Sequence, residues 1–125
     1  MVRHMTVRRT ALLVDDDRQV RWTLAMLLED LGFQVKEVER PSEAVSALEG
    51  GTFDVLVTDI VMPEMDGWRL AEIIREKQPS LPVLYVSGFS SENTRPVERS
   101  RILWKPFTQA GVAAALSELL NVLVR

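Results

Sequence analysis

Apolar positions along this chain switch between two periods. Thr10-Ala11-Leu12-Leu13-Val14, Val55-Leu56-Val57-Thr58 and Pro82-Val83-Leu84-Tyr85-Val86 are continuous runs rich in β-branched residues, the pattern of strands buried on both faces. Two weaker strand patterns accompany them. In Phe33 to Val38, Phe33, Val35 and Glu37 share one parity and Gln34, Lys36 and Val38 the other, and Arg101 to Trp104 is short. Between these runs the spacing turns helical. From Arg18, the residues Val20, Leu24, Leu27, Leu28 and Leu31 fall on one stripe, and Gly32 suits the position just past a helix end. Pro41 is placed to open a second helix with Ala44, Val45 and Leu48 inward, ended by Gly50-Gly51. A third is predicted over Trp68 to Lys77, with Leu70, Ile73 and Ile74 inward and Pro79 as its stop. Ser90 to Glu98 has room only for a short helix, limited further by Pro96. Thr108 caps the last helix, with Val112, Leu116, Leu119, Leu120 and Leu123 predicted inward.

Strand and helix therefore alternate five times, and short loops between them imply a parallel sheet with right-handed crossovers. The fold class predicted is α/β, three layers, doubly wound. At 125 residues with 46% hydrophobic content, the chain makes one domain with a substantial core. Residues 1–7 are expected to form a disordered leader and 8–125 the domain. The single histidine, His4, falls in that leader. A net charge of −3 argues against a nucleic-acid surface, which needs clustered Lys and Arg. The absence of cysteine removes disulfide and thiolate chemistry and fits a cytoplasmic location. No apolar run approaches the ~20 residues that span a bilayer, so no membrane association is expected.

The candidate chemistry lies where the strands stop. The first predicted strand runs into Asp15-Asp16, the third into Asp59, the fourth into Ser87 and the fifth into Lys105. In a parallel sheet all these ends share one edge, and ligands bind in the crevice beyond it. Taken singly, each is ordinary: an acidic run is often a helix N-terminus, as Asp17 is predicted to be, and a Lys-Pro pair carries no information. Jointly, they bring three carboxylates, a hydroxyl and an ammonium together. Crowded carboxylates repel one another unless a cation relieves them, and all-oxygen donors favour Mg²⁺ over zinc or copper. The set suits phosphoryl transfer onto a carboxylate, with Asp59 attacking and Lys105 and Ser87 binding the transferred oxygens.

Four segments carry a family resemblance. Leu13-Val14-Asp15-Asp16-Asp17, Thr58-Asp59-Ile60-Val61-Met62-Pro63-Glu64-Met65-Asp66-Gly67, Val86-Ser87-Gly88 and Lys105-Pro106-Phe107 resemble, in order, the signatures of the response-regulator receiver domain of two-component signalling. The likeness covers about residues 8 to 124. It implies a flavodoxin-like (βα)5 fold with strand order 2-1-3-4-5. It implies that Asp59 accepts phosphate from the phosphohistidine of a histidine kinase or phosphotransfer domain. Asp15 and Asp16 then form an acidic pocket, with Asp16, Asp59 and the Val61 backbone carbonyl on Mg²⁺. Ser87 is the implied switch hydroxyl and Lys105 the phosphate-binding lysine, with a cis peptide to Pro106. An output domain or a homodimer is the implied recipient of the signal.

Two departures bear on the switch. The family usually has Tyr or Phe three residues before the lysine, where this chain has Ile102. The segment from Ser87 to Lys105 is also about one helical turn short, all of it in the fourth helix. Ile102 and Trp104 share a strand face, which makes Trp104 the candidate for the missing aromatic bulk. Ser87-Gly88-Phe89-Ser90 resembles receivers attached to hybrid histidine kinases. Haloacid-dehalogenase-type phosphatases also form an aspartyl-phosphate, but they need an acid two residues past the nucleophile. That position is Val61.

Overall fold

The computed structural model describes residues 8–88 and 93–124. Strands β1 (Arg9–Val14), β2 (Phe33–Val38), β3 (Val55–Thr58), β4 (Val83–Ser87) and β5 (Ser100–Trp104) form one sheet in the order β2-β1-β3-β4-β5. All four pairings are parallel. Helices α1 (Arg18–Asp30), α2 (Pro41–Ala47), α3 (Gly67–Lys77) and α4 (Gln109–Leu120) cover its two faces. The architecture is the expected flavodoxin-like doubly wound sandwich.

Period-two alternation divides the strand side chains between two apolar layers. Ala11, Leu13, Val55, Val57, Leu84 and Val86 pack in one layer with Leu24 and Leu28 of α1 and Val112 and Leu116 of α4. Leu12, Val14, Leu56, Val83 and Tyr85 pack in the other with Ala44 of α2 and Leu70, Ala71 and Ile74 of α3. The central strands serve both layers, which is why their sequence reads as unbroken apolar runs. The ambiguous second strand resolves the same way: Phe33 and Val35 join the first layer and Val38 the second. Truncating a fully buried leucine such as Leu56 or Leu84 is expected to cost ~2–5 kcal/mol.

The helix ends differ from the sequence reading in identifiable ways. Leu48, predicted inside the second helix, lies in a 3-10 turn, Leu48–Gly50, that follows α2. The last helix stops at Leu120 because Asn121 takes a left-handed conformation (φ 55°) as its cap. Leu123, expected inward, therefore lies beyond the helix and is exposed.

The short helix expected over Ser90 to Glu98 is not found in its described part, since residues 93–98 are non-helical; residues 89–92 lie outside the described chain. Pro96 cannot donate a helical hydrogen bond, and other contacts hold this segment. The Tyr85 hydroxyl accepts from the Val97 N–H at 3.2 Å, and the Ser100 hydroxyl donates to the Val97 carbonyl at 2.6 Å. The Arg75 guanidinium donates to the carbonyls of Leu81, Glu98 and Arg99. The expected leader, residues 1–7, also lies outside the described residues. No described helix is long and apolar enough to cross a membrane.

Candidate functional site

Register brings the predicted residues to one edge. Val14 pairs with Thr58, so Asp15 and Asp59 leave β1 and β3 side by side, and the Asp59 N–H donates to the Val14 carbonyl at 3.1 Å. Ser87 ends β4 opposite Trp104, and the Lys105 N–H donates to the Ser87 carbonyl at 2.9 Å. The loop after Asp59 is pinned by α3. The Gly67 N–H donates to the Ile60 carbonyl at 2.7 Å, and a Cβ on Gly67 would stand 2.1 Å from the Asp59 carbonyl oxygen. Only glycine permits this approach of α3 to the Asp59 backbone. Asp66 caps α3 by accepting from the Arg69 N–H at 2.9 Å, and the Thr58 hydroxyl donates to the Asp59 carbonyl at 2.9 Å. The backbone on either side of the Asp59 side chain is thus fixed.

Asp15 is fully buried. Its Oδ1 accepts from the Asp17 N–H at 2.9 Å, while its Oδ2, buried as well, accepts no hydrogen bond among the described residues. The Asp59 Oδ1 accepts from the Ile60 N–H at 2.7 Å. Lys105 Nζ stands 3.7 Å from Asp15 Oδ2 and 3.9 Å from Asp59 Oδ2, bridging the two acids. Burial, reinforced by the charges of Asp59 and Asp16, pushes the Asp15 carboxyl up to about 6, against the lowering effect of the Asp17 N–H and Lys105. Asp15, Asp16 and Asp59 each offer a carboxylate oxygen within 4.8 Å of the others. An orphaned buried oxygen inside such a group is what a bound cation would satisfy, and the all-carboxylate donor set fits a hard divalent ion. Asp16 is the exposed member of the cluster.

The remaining predicted positions fall as follows. Val61, two residues beyond Asp59, has an exposed side chain. The Lys105–Pro106 peptide is cis. Ile102 lies opposite Tyr85 in register and, like Val97, packs against the second apolar layer. Trp104, on the same strand face, is 39% exposed.

Two groups escaped the sequence reading. Arg21 donates to the Asp15 carbonyl at 2.8 Å and pairs with Glu37 at 3.5 Å. Its signal was available: Arg21 lies three, four and seven residues before Leu24, Ala25 and Leu28, so a cation occupies the buried stripe of α1. Tyr85 looked like strand filler. Its ring packs 4.6 Å, centroid to centroid, from that of Trp68 at the start of α3, and nothing in sequence announces its hydroxyl partner on Val97.

The fold and the site together define a doubly wound α/β module with an acid cluster and a lysine at the carboxyl edge of its sheet. Residues 11–117 match the model of the response regulator receiver domain, and the chain belongs to that family. It is 36% identical over 100 residues to the response regulator receiver protein CpdR of Brucella abortus, covering 77% of this chain and 83% of CpdR. It is 34% identical over 118 residues to the sensor kinase CckA of Brucella abortus, covering 90% of this chain but only 12% of that kinase. A response regulator receiver protein of known structure from Sinorhizobium medicae superposes with a TM-score of 0.84 at 37% identity, covering 91% of this chain and 95% of its own.

Proposed function

We propose that the chain is a phosphoacceptor receiver that takes a phosphoryl group onto Asp59 from the phosphohistidine of a histidine kinase or phosphotransfer domain. The observation that carries this reading is the placement of Lys105 Nζ between Asp59 Oδ2 and Asp15 Oδ2, the latter a buried oxygen that accepts no hydrogen bond among the described residues. Asp59 Oδ2 attacks phosphorus, the P–N bond breaks, and its electron pair returns to the donor imidazole. Asp15, Asp16, Asp59 and the Val61 carbonyl are the residues we assign to Mg²⁺, which when bound neutralises charge on the transferred group. Lys105 binds the transferred oxygens, and the Ser87 hydroxyl at the end of β4 hydrogen-bonds one of them. With Val61 in place of an acid two residues past Asp59, no side chain there can run the second step of a haloacid-dehalogenase-type phosphatase. The role is that of a signalling acceptor, not of a turnover enzyme.

The donor's approach is assigned to α1. Trp22 and Met26, one turn apart, are 64% and 55% exposed. Trp22 also borders a cleft of about 500 Å³ with Arg18, Gln19, Arg21 and Glu37. An exposed apolar pair on α1, the helix that follows Asp15 and Asp16, suits a helical partner that must present its histidine to Asp59. The signal then passes to an output domain or a second copy.

The test is incubation with Mg²⁺ and acetyl phosphate, read by intact mass. One acid-stable, base-labile phosphoryl group per chain is expected, lost in EDTA and in Asp59→Asn. Equal gain by the Asn variant overturns the assignment.

A further inference from the structure

We infer that Arg21 is a positioning residue for the acidic pocket, acting through the main chain of Asp15. The inference rests on the reading that the pocket takes a divalent cation, and it assigns that binding a supporting residue outside the acids. Three observations carry it. First, the guanidinium is only 16% exposed and donates to the Asp15 carbonyl at 2.8 Å, so its contact is with the peptide joining two of the three acids. Second, its Nε lies 3.5 Å from Glu37 on β2, which gives the planar fork a second anchor and fixes its plane. Third, the other bonds of this turn gather at Asp17 and at the Asp15 side chain and N–H: Asp17 caps α1 through the Gln19 and Val20 N–H groups, its own N–H donates to Asp15 Oδ1 at 2.9 Å, and the Asp15 N–H makes a long 3.4 Å contact with the Val38 carbonyl, whereas Arg21 holds the Asp15 carbonyl.

The physical reasoning is direct. Asp15 and Asp16 project from consecutive residues just past a strand end, so rotation of the peptide between them moves one carboxylate relative to the other. Electrostatic repulsion among Asp15, Asp16 and Asp59 favours such a rotation when no cation is bound. A guanidinium anchored on β2 resists it from behind, holding the pair in the spacing at which their oxygens lie within 4.8 Å of each other and of Asp59. Partners that orient metal ligands in this way commonly contribute about 10- to 100-fold in metal affinity.

The competing account is that Arg21 only ties α1 to β2. The two accounts separate in the increment that Mg²⁺ adds to stability, because a helix tie affects the metal-free and metal-bound proteins equally. The experiment compares the parent, Arg21→Gln, Arg21→Lys and Glu37→Gln by thermal melts in EDTA and across a Mg²⁺ series, with Mg²⁺ affinity measured independently by amide NMR shifts. Arg21→Gln is expected to bind Mg²⁺ about 10-fold or more weakly and to need correspondingly more metal for the same rise in Tm. Arg21→Lys, retaining charge and one donor, should recover part of the affinity. Glu37→Gln, which loosens the anchor without removing Arg21, should show a smaller loss in the same direction and covers the case in which Arg21→Gln fails to fold. Mg²⁺ affinities of both Gln variants within about twofold of the parent overturn the inference. A parent that does not bind Mg²⁺ at all instead overturns the reading of the pocket on which it rests.

Discussion

Replacing Asp15 with Asn probes the electrostatics of the pocket in isolation from phosphoryl chemistry. Asp15 is fully buried, and its carboxyl is pushed up to about 6 from an ordinary 3.8, chiefly by loss of solvent. A raised value means the folded chain holds this proton more tightly than the unfolded one. Its contribution to stability is therefore fully present below about pH 4 and is lost as pH rises through about 6. The gap between 3.8 and about 6 corresponds to about 3 kcal/mol between those limits. The Asn variant does not titrate, and its amide oxygen can still accept from the Asp17 N–H as Oδ1 does. In EDTA, the stability of Asp15→Asn relative to the parent should therefore rise by about 3 kcal/mol from pH 4 to pH 7.5, or roughly 10 °C in Tm. The new amide faces Lys105, 3.7 Å from the oxygen it replaces, which offsets the variant's absolute stability at both pH values without changing the slope. Excess Mg²⁺ should cancel most of that gain at pH 7.5, since ~100 Kd of ligand adds ~2.7 kcal/mol to the parent and little to the variant. Urea titrations at five pH values give the measurement. A parent-to-variant difference that stays flat from pH 4 to 7.5 would refute the claim that Asp15 is held uncomfortably as a carboxylate.

Other outcomes follow from single contacts. Gly67→Ala places a Cβ 2.1 Å from the Asp59 carbonyl oxygen, so denaturant melts should show a loss of ~2–4 kcal/mol, with slower labelling of Asp59 by acetyl phosphate. Tyr85→Phe leaves the Val97 N–H without its acceptor and should cost ~1 kcal/mol, seen most clearly as faster hydrogen exchange at Val97. Trp104, opposite Ser87 in register, should change its fluorescence when Mg²⁺ and beryllofluoride load a Trp22→Phe, Trp68→Phe background. An unchanged spectrum with binding confirmed removes it as a reporter of the switch.

The sheet was legible because its central strands are buried on both faces. That burial makes Leu12-Leu13-Val14 and Val55-Leu56-Val57 continuous apolar runs bounded by polar loops, a signal carried by neighbouring residues. The acid edge was legible for a related reason, since topology alone sends Asp15, Asp59, Ser87 and Lys105 to one side once the strands are parallel. Leu123 was misplaced because period alone does not show where Asn121 turns left-handed and ends the last helix. The irregular course of residues 93–99 depends on a guanidinium from α3 and a hydroxyl from β4, partners distant in sequence. Arg21 was overlooked for the opposite reason. Its place on the α1 stripe was visible, but what it holds is a carbonyl, and main-chain acceptors leave no trace in a side-chain pattern.

The most direct test of the central claim is to locate the phosphoryl group. Phosphoramidate carries the P–N bond of a phosphohistidine, and borohydride reduces an aspartyl phosphate to homoserine. After phosphoramidate and Mg²⁺ treatment followed by reduction, peptide sequencing by mass spectrometry should find homoserine at position 59 alone, and none in Asp59→Asn. Homoserine at Asp15 or Asp16, or phosphate retained elsewhere with Asp59 unmodified, would contradict the account.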